Sequence, residues 1–123
     1  MSWDVKNLLK LQLASVLGSA YFDAADFQRR LSTFCGEVAA LGLSRVVLLS
    51  PLPCADRVFM RNRLQVVEHF RQEGKRFGFV YVDVMSNLLA AAQGRDIFHD
   101  SIHLNKKGHA LLGQLVAQVL LDL

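Results

Sequence analysis

Two short apolar runs constrain the fold more than any other feature of this chain. Val46-Val47-Leu48-Leu49 is continuous and unalternated, and Ser50-Pro51-Leu52-Pro53 breaks it; Phe77 to Val84 forms a second such run. A strand written this way has no solvent face, which is the pattern of a parallel sheet covered by helices. Helical periodicity fills the spaces around these runs. Asp23 reads as an N-cap with Asp26 supporting the helix start, and Phe27, Leu31, Phe34, Val38 and Leu41 then step along one face until Gly42. A second helix is expected from about Arg57 to Glu73, with Met60, Leu64, Val67 and Arg71 as a stripe, Phe70 beside it and Gly74 as its stop. Ser86 is the expected cap of a short helix through Ala92. A last helix from about Lys106 to Leu121 carries a wide apolar face of Leu111, Leu112, Leu115, Val116, Val119 and Leu120. Residues 8–17 alternate around Lys10 and Gln12 as a strand does, although their leucine content also suits a helix.

Strands alternating with helices predict a three-layer α/β/α sandwich with a short parallel sheet. The 123 residues suffice for one domain, spanning 1–123, and are too few for two. In such sheets ligands bind beyond the carboxyl ends of the strands. The segments Gly18–Phe22, Ser50–Asp56, Asp83–Ser86 and Gly94–Leu104 all fall on that side.

Several function classes recede on composition. Hydrophobic residues make up 52% and charged residues 20%, so the chain is globular rather than disordered. Charged or amide side chains interrupt every apolar segment, so no membrane span is expected. The start Met1-Ser2-Trp3-Asp4-Val5-Lys6 lacks the pattern of a signal peptide, and the expected compartment is the cytoplasm. Cys35 and Cys54 have no metal or CxxC spacing and read as small buried thiols. The net charge of +3 is mild. Arg57, Arg61, Arg63, Arg71, Lys75 and Arg76 are diluted by Asp56, Glu68 and Glu73, which reads as a solvated helix face and not as a nucleic-acid surface.

Chemistry concentrates in Asp100-Ser101-Ile102-His103-Leu104-Asn105-Lys106-Lys107-Gly108-His109. A hydroxyl nucleophile needs a base, and imidazole titrates near working pH and can return the proton to the leaving group. A carboxylate on the far ring nitrogen fixes the tautomer and stabilises the imidazolium. Three residues of separation in a turn can put Asp100 beside His103 without help from a distant segment. The string Asp-x-x-His-Leu-Asn-x-x-Gly-His, followed directly by an amphipathic helix, resembles the last block of the SGNH (GDSL-type) hydrolases.

That resemblance implies a flavodoxin-like sandwich and hydrolysis of a small acyl or acetyl ester by a Ser-His-Asp mechanism, with Asp100 and His103 as the acid and base. Val46–Pro53 is similar to the family's strand ending in a proline-containing loop, and Val80–Asp83 to its next strand. The likeness runs from about Leu11 onward. Nothing matches the family's Gly-Asp-Ser nucleophile motif or the glycine block of the oxyanion hole. Leu17-Gly18-Ser19-Ala20-Tyr21 stands where a Gly-x-Asn-Asp block is expected, so Gly18 and Ser19 are candidate oxyanion or substrate-loop residues, and Ala20 replaces the asparagine. Three explanations stay open: a hydrolase whose serine lies in a segment ahead of Met1, a catalytically inactive binding or interaction module, and a sheet completed by a homodimer or partner chain.

Other constellations read structurally. Ser19 and Ser50 lie in no nucleophile elbow; Ser19 reads as a turn cap and Ser50 as a partner of local backbone before Pro51. His99 and His103 are four apart, but they sit in a loop with no third ligand at a natural spacing, so no metal and no cofactor is expected. His109 reads as a packing or surface residue and His69 as solvent-facing.

Overall fold

The structure is a computed structural model that describes residues 23–123. The expected strand at 8–17 and the candidates Gly18 and Ser19 lie outside the described residues. The chain is mixed α/β. Helix α1 spans Ala24–Ala40, strand β1 Val47–Leu49, helix α2 Arg57–Phe77, strand β2 Val80–Val82, helix α3 Val84–Ala92 and helix α4 Lys106–Asp122. Within the described residues the two strands form a parallel pair in register, Val47 with Val80, Leu48 with Tyr81 and Leu49 with Val82.

Local chemistry sets most boundaries. Asp23 caps α1 by accepting the Asp26 N–H at 3.1 Å, and Gly42 follows its end at φ +70°. Asp56 caps α2 through the Phe59 N–H at 2.8 Å. The short helix α3 is capped by Asp83, which accepts the Ser86 N–H at 3.0 Å; Ser86, the expected cap, is inside the helix. Asp83 ends β2 and starts α3 in a single residue, which leaves no room for the longer strand expected from Phe77 to Val84.

The stop of α2 is a second correction. Gly74 is buried inside the helix, where a Cβ would lie 3.2 Å from that of Tyr81 and 3.7 Å from Leu48 Cδ2. Its small size lets the helix lie close on the sheet, and the helix runs on to Phe77. Gly78 ends it at φ +71°, with Gly78 N–H bonded to Lys75 O at 3.3 Å and Phe79 N–H to Gly74 O at 2.8 Å. These two bonds are the pair that closes a helix on a left-handed glycine.

Packing places helices against side chains from alternate positions of the strands. Leu48 and Tyr81 meet α2 at Gly74, while Leu49 and Val82 pack on a cluster of Val84, Leu88, Ala92, Ile97 and Leu104. Val84, Leu88 and Ala92 recur every four residues along α3 and are buried, as a core-facing helix stripe requires. Helix α1 packs on α2, and α3 on α4. Both strands are half-buried throughout, short of the full burial expected from their composition. The core face of α1 is Leu31 and Cys35, whereas Phe34 and Leu41 are exposed at 58% and 70%. Phe27 and Val38 of the expected stripe are half-buried, and Phe27 lies against Phe70 of α2. His69 is half-buried rather than solvent-facing. Cys35 and Cys54 are free and buried, and burial pushes both thiols up, with Glu73 adding to the effect at Cys35.

Candidate active site

The Asp100–His103 turn is held at both feet by the core. Ile97 and Leu104 are buried, and Phe98 pairs with Leu104 in an isolated antiparallel bridge. Two backbone bonds close it, His99 N–H to His103 O at 2.9 Å and Asn105 N–H to Ile97 O at 2.8 Å. Asn105 then serves twice. Its Oδ1 accepts the Gly108 N–H at 2.9 Å, capping α4, and its Nδ2 donates to Asp96 O at 3.1 Å. Arg95 donates to Ala91 O and Ala92 O, closing the end of α3 where the segment begins.

Inside the turn, Asp100 Oδ1 accepts the N–H groups of Ile102 at 2.9 Å and His103 at 2.7 Å. The same carboxylate reaches His103 Nδ1, at 2.8 Å from Oδ2 and 3.0 Å from Oδ1. The two residues that the sequence singles out are therefore brought together. The Ile102 N–H first, then the His103 ring and N–H, hold the Asp100 carboxyl down at about 2 from its ordinary 3.8. An ionised carboxylate only accepts hydrogen bonds, so in the neutral ring the proton sits on Nδ1 and Nε2 carries the lone pair. Among the described residues nothing hydrogen-bonds Nε2. The pair is open, with the His103 side chain 66% exposed and that of Asp100 46%.

The depressed carboxyl sets the sign of an acid response. A group that titrates lower in the folded chain stabilises it fully above its unfolded value and loses that contribution as pH falls through the folded value. The Ile102 and His103 amide resonances are expected to move together as pH falls below about 3.8, with a midpoint of about 2. A midpoint at 3.8 in an NMR titration would mean that the turn does not form.

Other loops converge on this side. Asp56 N–H donates to Ser101 O at 2.9 Å, joining the segment after β1 to the turn. Ser50 is buried; its Oγ donates to Pro51 O at 3.1 Å and accepts the Met85 N–H at 3.1 Å, joining the end of β1 to the first turn of α3. Those bonds occupy Ser50 as a structural hydroxyl. Arg63 supports the same segment from α2, donating to Leu52 O at 2.6 Å. Gly18 and Ser19 lie outside the described residues, so neither is placed relative to His103. Among the described residues no three His, Cys, Asp or Glu side chains gather as a metal site. None of the helices among them is long and apolar enough to cross a membrane.

The sequence reading gives Asp56 no role as a helix cap. An acid directly before a helical pattern was the available signal for Asp56 as a cap, but its bond to Ser101 joins residues far apart in the chain. In comparisons with family models, curated proteins and solved structures, nothing matches this chain.

Proposed function

We propose that this chain carries the acid–base pair of an SGNH-type serine ester hydrolase, built on a three-layer, flavodoxin-like α/β/α sandwich and acting on a small acyl ester, in the cytoplasm. The observation that carries the reading is the Asp100–His103 bond, with Nδ1 engaged and Nε2 presented to solvent. Strand side chains that meet α2 on one hand and the α3–α4 cluster on the other support the sandwich.

In this reading His103 Nε2 takes the proton of a serine as its Oγ attacks the ester carbonyl. Asp100 stabilises the imidazolium, which then protonates the departing alcohol. Water repeats the cycle on the acyl-enzyme. The serine and the oxyanion donors come from outside the described residues, with the Gly18-Ser19 segment as the candidate donor loop.

Two observations favour a second reading, an inactive SGNH-like interaction module, self-paired or bound to a partner chain. Ala20 stands in the place of an oxyanion asparagine, a donor whose loss costs about a hundred- to a thousand-fold in rate. The acid–base pair is also exposed, and charge stabilisation is weak in water. One experiment separates the readings. The purified protein is incubated with a short acyl ester and, in parallel, with a fluorophosphonate that traps activated serines. The hydrolase reading expects turnover and one label per chain, with the labelled serine located by mass spectrometry. Neither turnover nor label, at any protein concentration, would overturn the reading of this chain by itself as an ester hydrolase.

A further inference from the structure

We propose that Asp56 is a positioning residue for the Asp100–His103 turn: by capping α2 it fixes its own N–H against the Ser101 carbonyl, and that bond orients the peptide which grips Asp100. The argument rests on one peptide unit. The Ser101 carbonyl and the Ile102 N–H belong to the same plane. Asp56 N–H donates to the carbonyl at 2.9 Å, and the N–H donates to Asp100 Oδ1 at 2.9 Å. A hydrogen bond on one end of an amide polarises and aims the other, so the two bonds reinforce each other.

Asp56 is itself held firmly. Its Oδ1 accepts the Phe59 N–H at 2.8 Å and its carbonyl accepts the Met60 N–H at 2.9 Å. Its backbone sits at φ −69° and ψ 127°, the extended geometry of a helix cap. Buried Cys54 donates its thiol to the Asp56 carbonyl at 3.6 Å. Among the described residues no other hydrogen bond ties the segment Ser50–Asp56 to residues 99–104. The start of α2 therefore braces the middle of the turn by hydrogen bond, while its feet are packed through Ile97 and Leu104 on the cluster that Leu49 and Val82 also join.

The inference rests on reading Asp100 and His103 as the acid–base pair, but its test needs no turnover, so a failed hydrolase assay leaves it legible. Three variants divide the roles of Asp56. Asp56→Asn keeps cap and N–H. Asp56→Ala keeps only the N–H. Asp56→Pro keeps neither, and φ −69° accepts the proline ring. Carboxyl NMR of Asp100 is expected to give a midpoint of about 2 in wild type and Asp56→Asn. A rise toward 3.8 should be largest in Asp56→Pro and smaller in Asp56→Ala. Ile102 amide exchange should accelerate about tenfold in the proline variant. An Asp100 midpoint unchanged in Asp56→Pro overturns the proposal, and so do equal shifts in the alanine and proline variants. Wild type gives an independent check that does not depend on a variant folding. The Asp56 amide should exchange about a hundredfold more slowly than that of exposed Ala55, and equal rates overturn the brace.

Discussion

Gly108→Ala is expected to destabilise the protein by about 3 kcal/mol and lower its Tm by about 10 °C, although alanine is the better helix former. A Cβ at this position would lie 2.5 Å from Ile97 O, 3.1 Å from Leu104 Cβ and 3.2 Å from Leu104 Cδ2. The backbone oxygen cannot yield cheaply, because it accepts the Asn105 N–H at 2.8 Å and Ile97 is itself buried. Relief requires α4 to lift from its seat, which opens the cluster of Ile97, Leu104 and Leu88 and loosens the feet of the Asp100–His103 turn. Gly113→Ala is the control in the same helix, since nothing lies within 4 Å of its added Cβ. Helix propensity acts alone there, and a gain of about 0.5–1 kcal/mol is expected. Thermal melts of both variants check the pair. A gain in both would mean that α4 does not seat on Ile97.

Loss of the acid–base pair has the largest effect expected on chemistry. In the proposed reaction His103→Ala removes the only group that takes the serine proton, and kcat should fall by about a million-fold. Asp100→Asn is the sharper variant. Its amide oxygen still accepts the Ile102 and His103 N–H groups, so the turn keeps its form. Facing Nδ1, however, it can offer an N–H in place of a carboxylate, which favours the tautomer protonated at Nε2. A ring protonated there cannot act as base, and the expected loss is about ten-thousand-fold. His103→Ala removes an exposed ring and should leave the melting temperature close to that of wild type, whereas Asp100→Asn replaces the charged acceptor of the turn by a neutral one and should lower it modestly. Steady-state hydrolysis of a short acyl ester reads the result. Turnover equal to wild type in either variant would remove that residue from the mechanism.

The site was legible in the sequence because its geometry is local. An aspartate three residues before a histidine can hold both the backbone of its own turn and the imidazole ring without any distant partner. The start of α4 at Lys106 was legible for the same reason, as was the cap at Asp23. Strand positions were readable from β-branched and leucine runs, though not their lengths. Where Asp83 hands β2 over to α3, one side-chain bond decides the boundary. Gly74 and Gly78 show why glycines misled. Both are small residues near a helix end, and only the approach of Tyr81 to Gly74 tells a packing glycine from a terminating one.

What the sequence determined by itself, then, is the set of features whose energetics close within a few residues: the approximate positions of the helices, the cap at Asp23 and the Asp100–His103 turn. Tertiary structure alone decided which faces those elements bury, leaving Phe34 exposed and Cys35 inside. It also decided that Ser50 is held by the Met85 N–H, that Gly108 admits no side chain, and that Asp56 braces the turn through Ser101. The physical reason is the same in each case. These contacts join residues distant in the chain, and their energies depend on distances that no local pattern encodes.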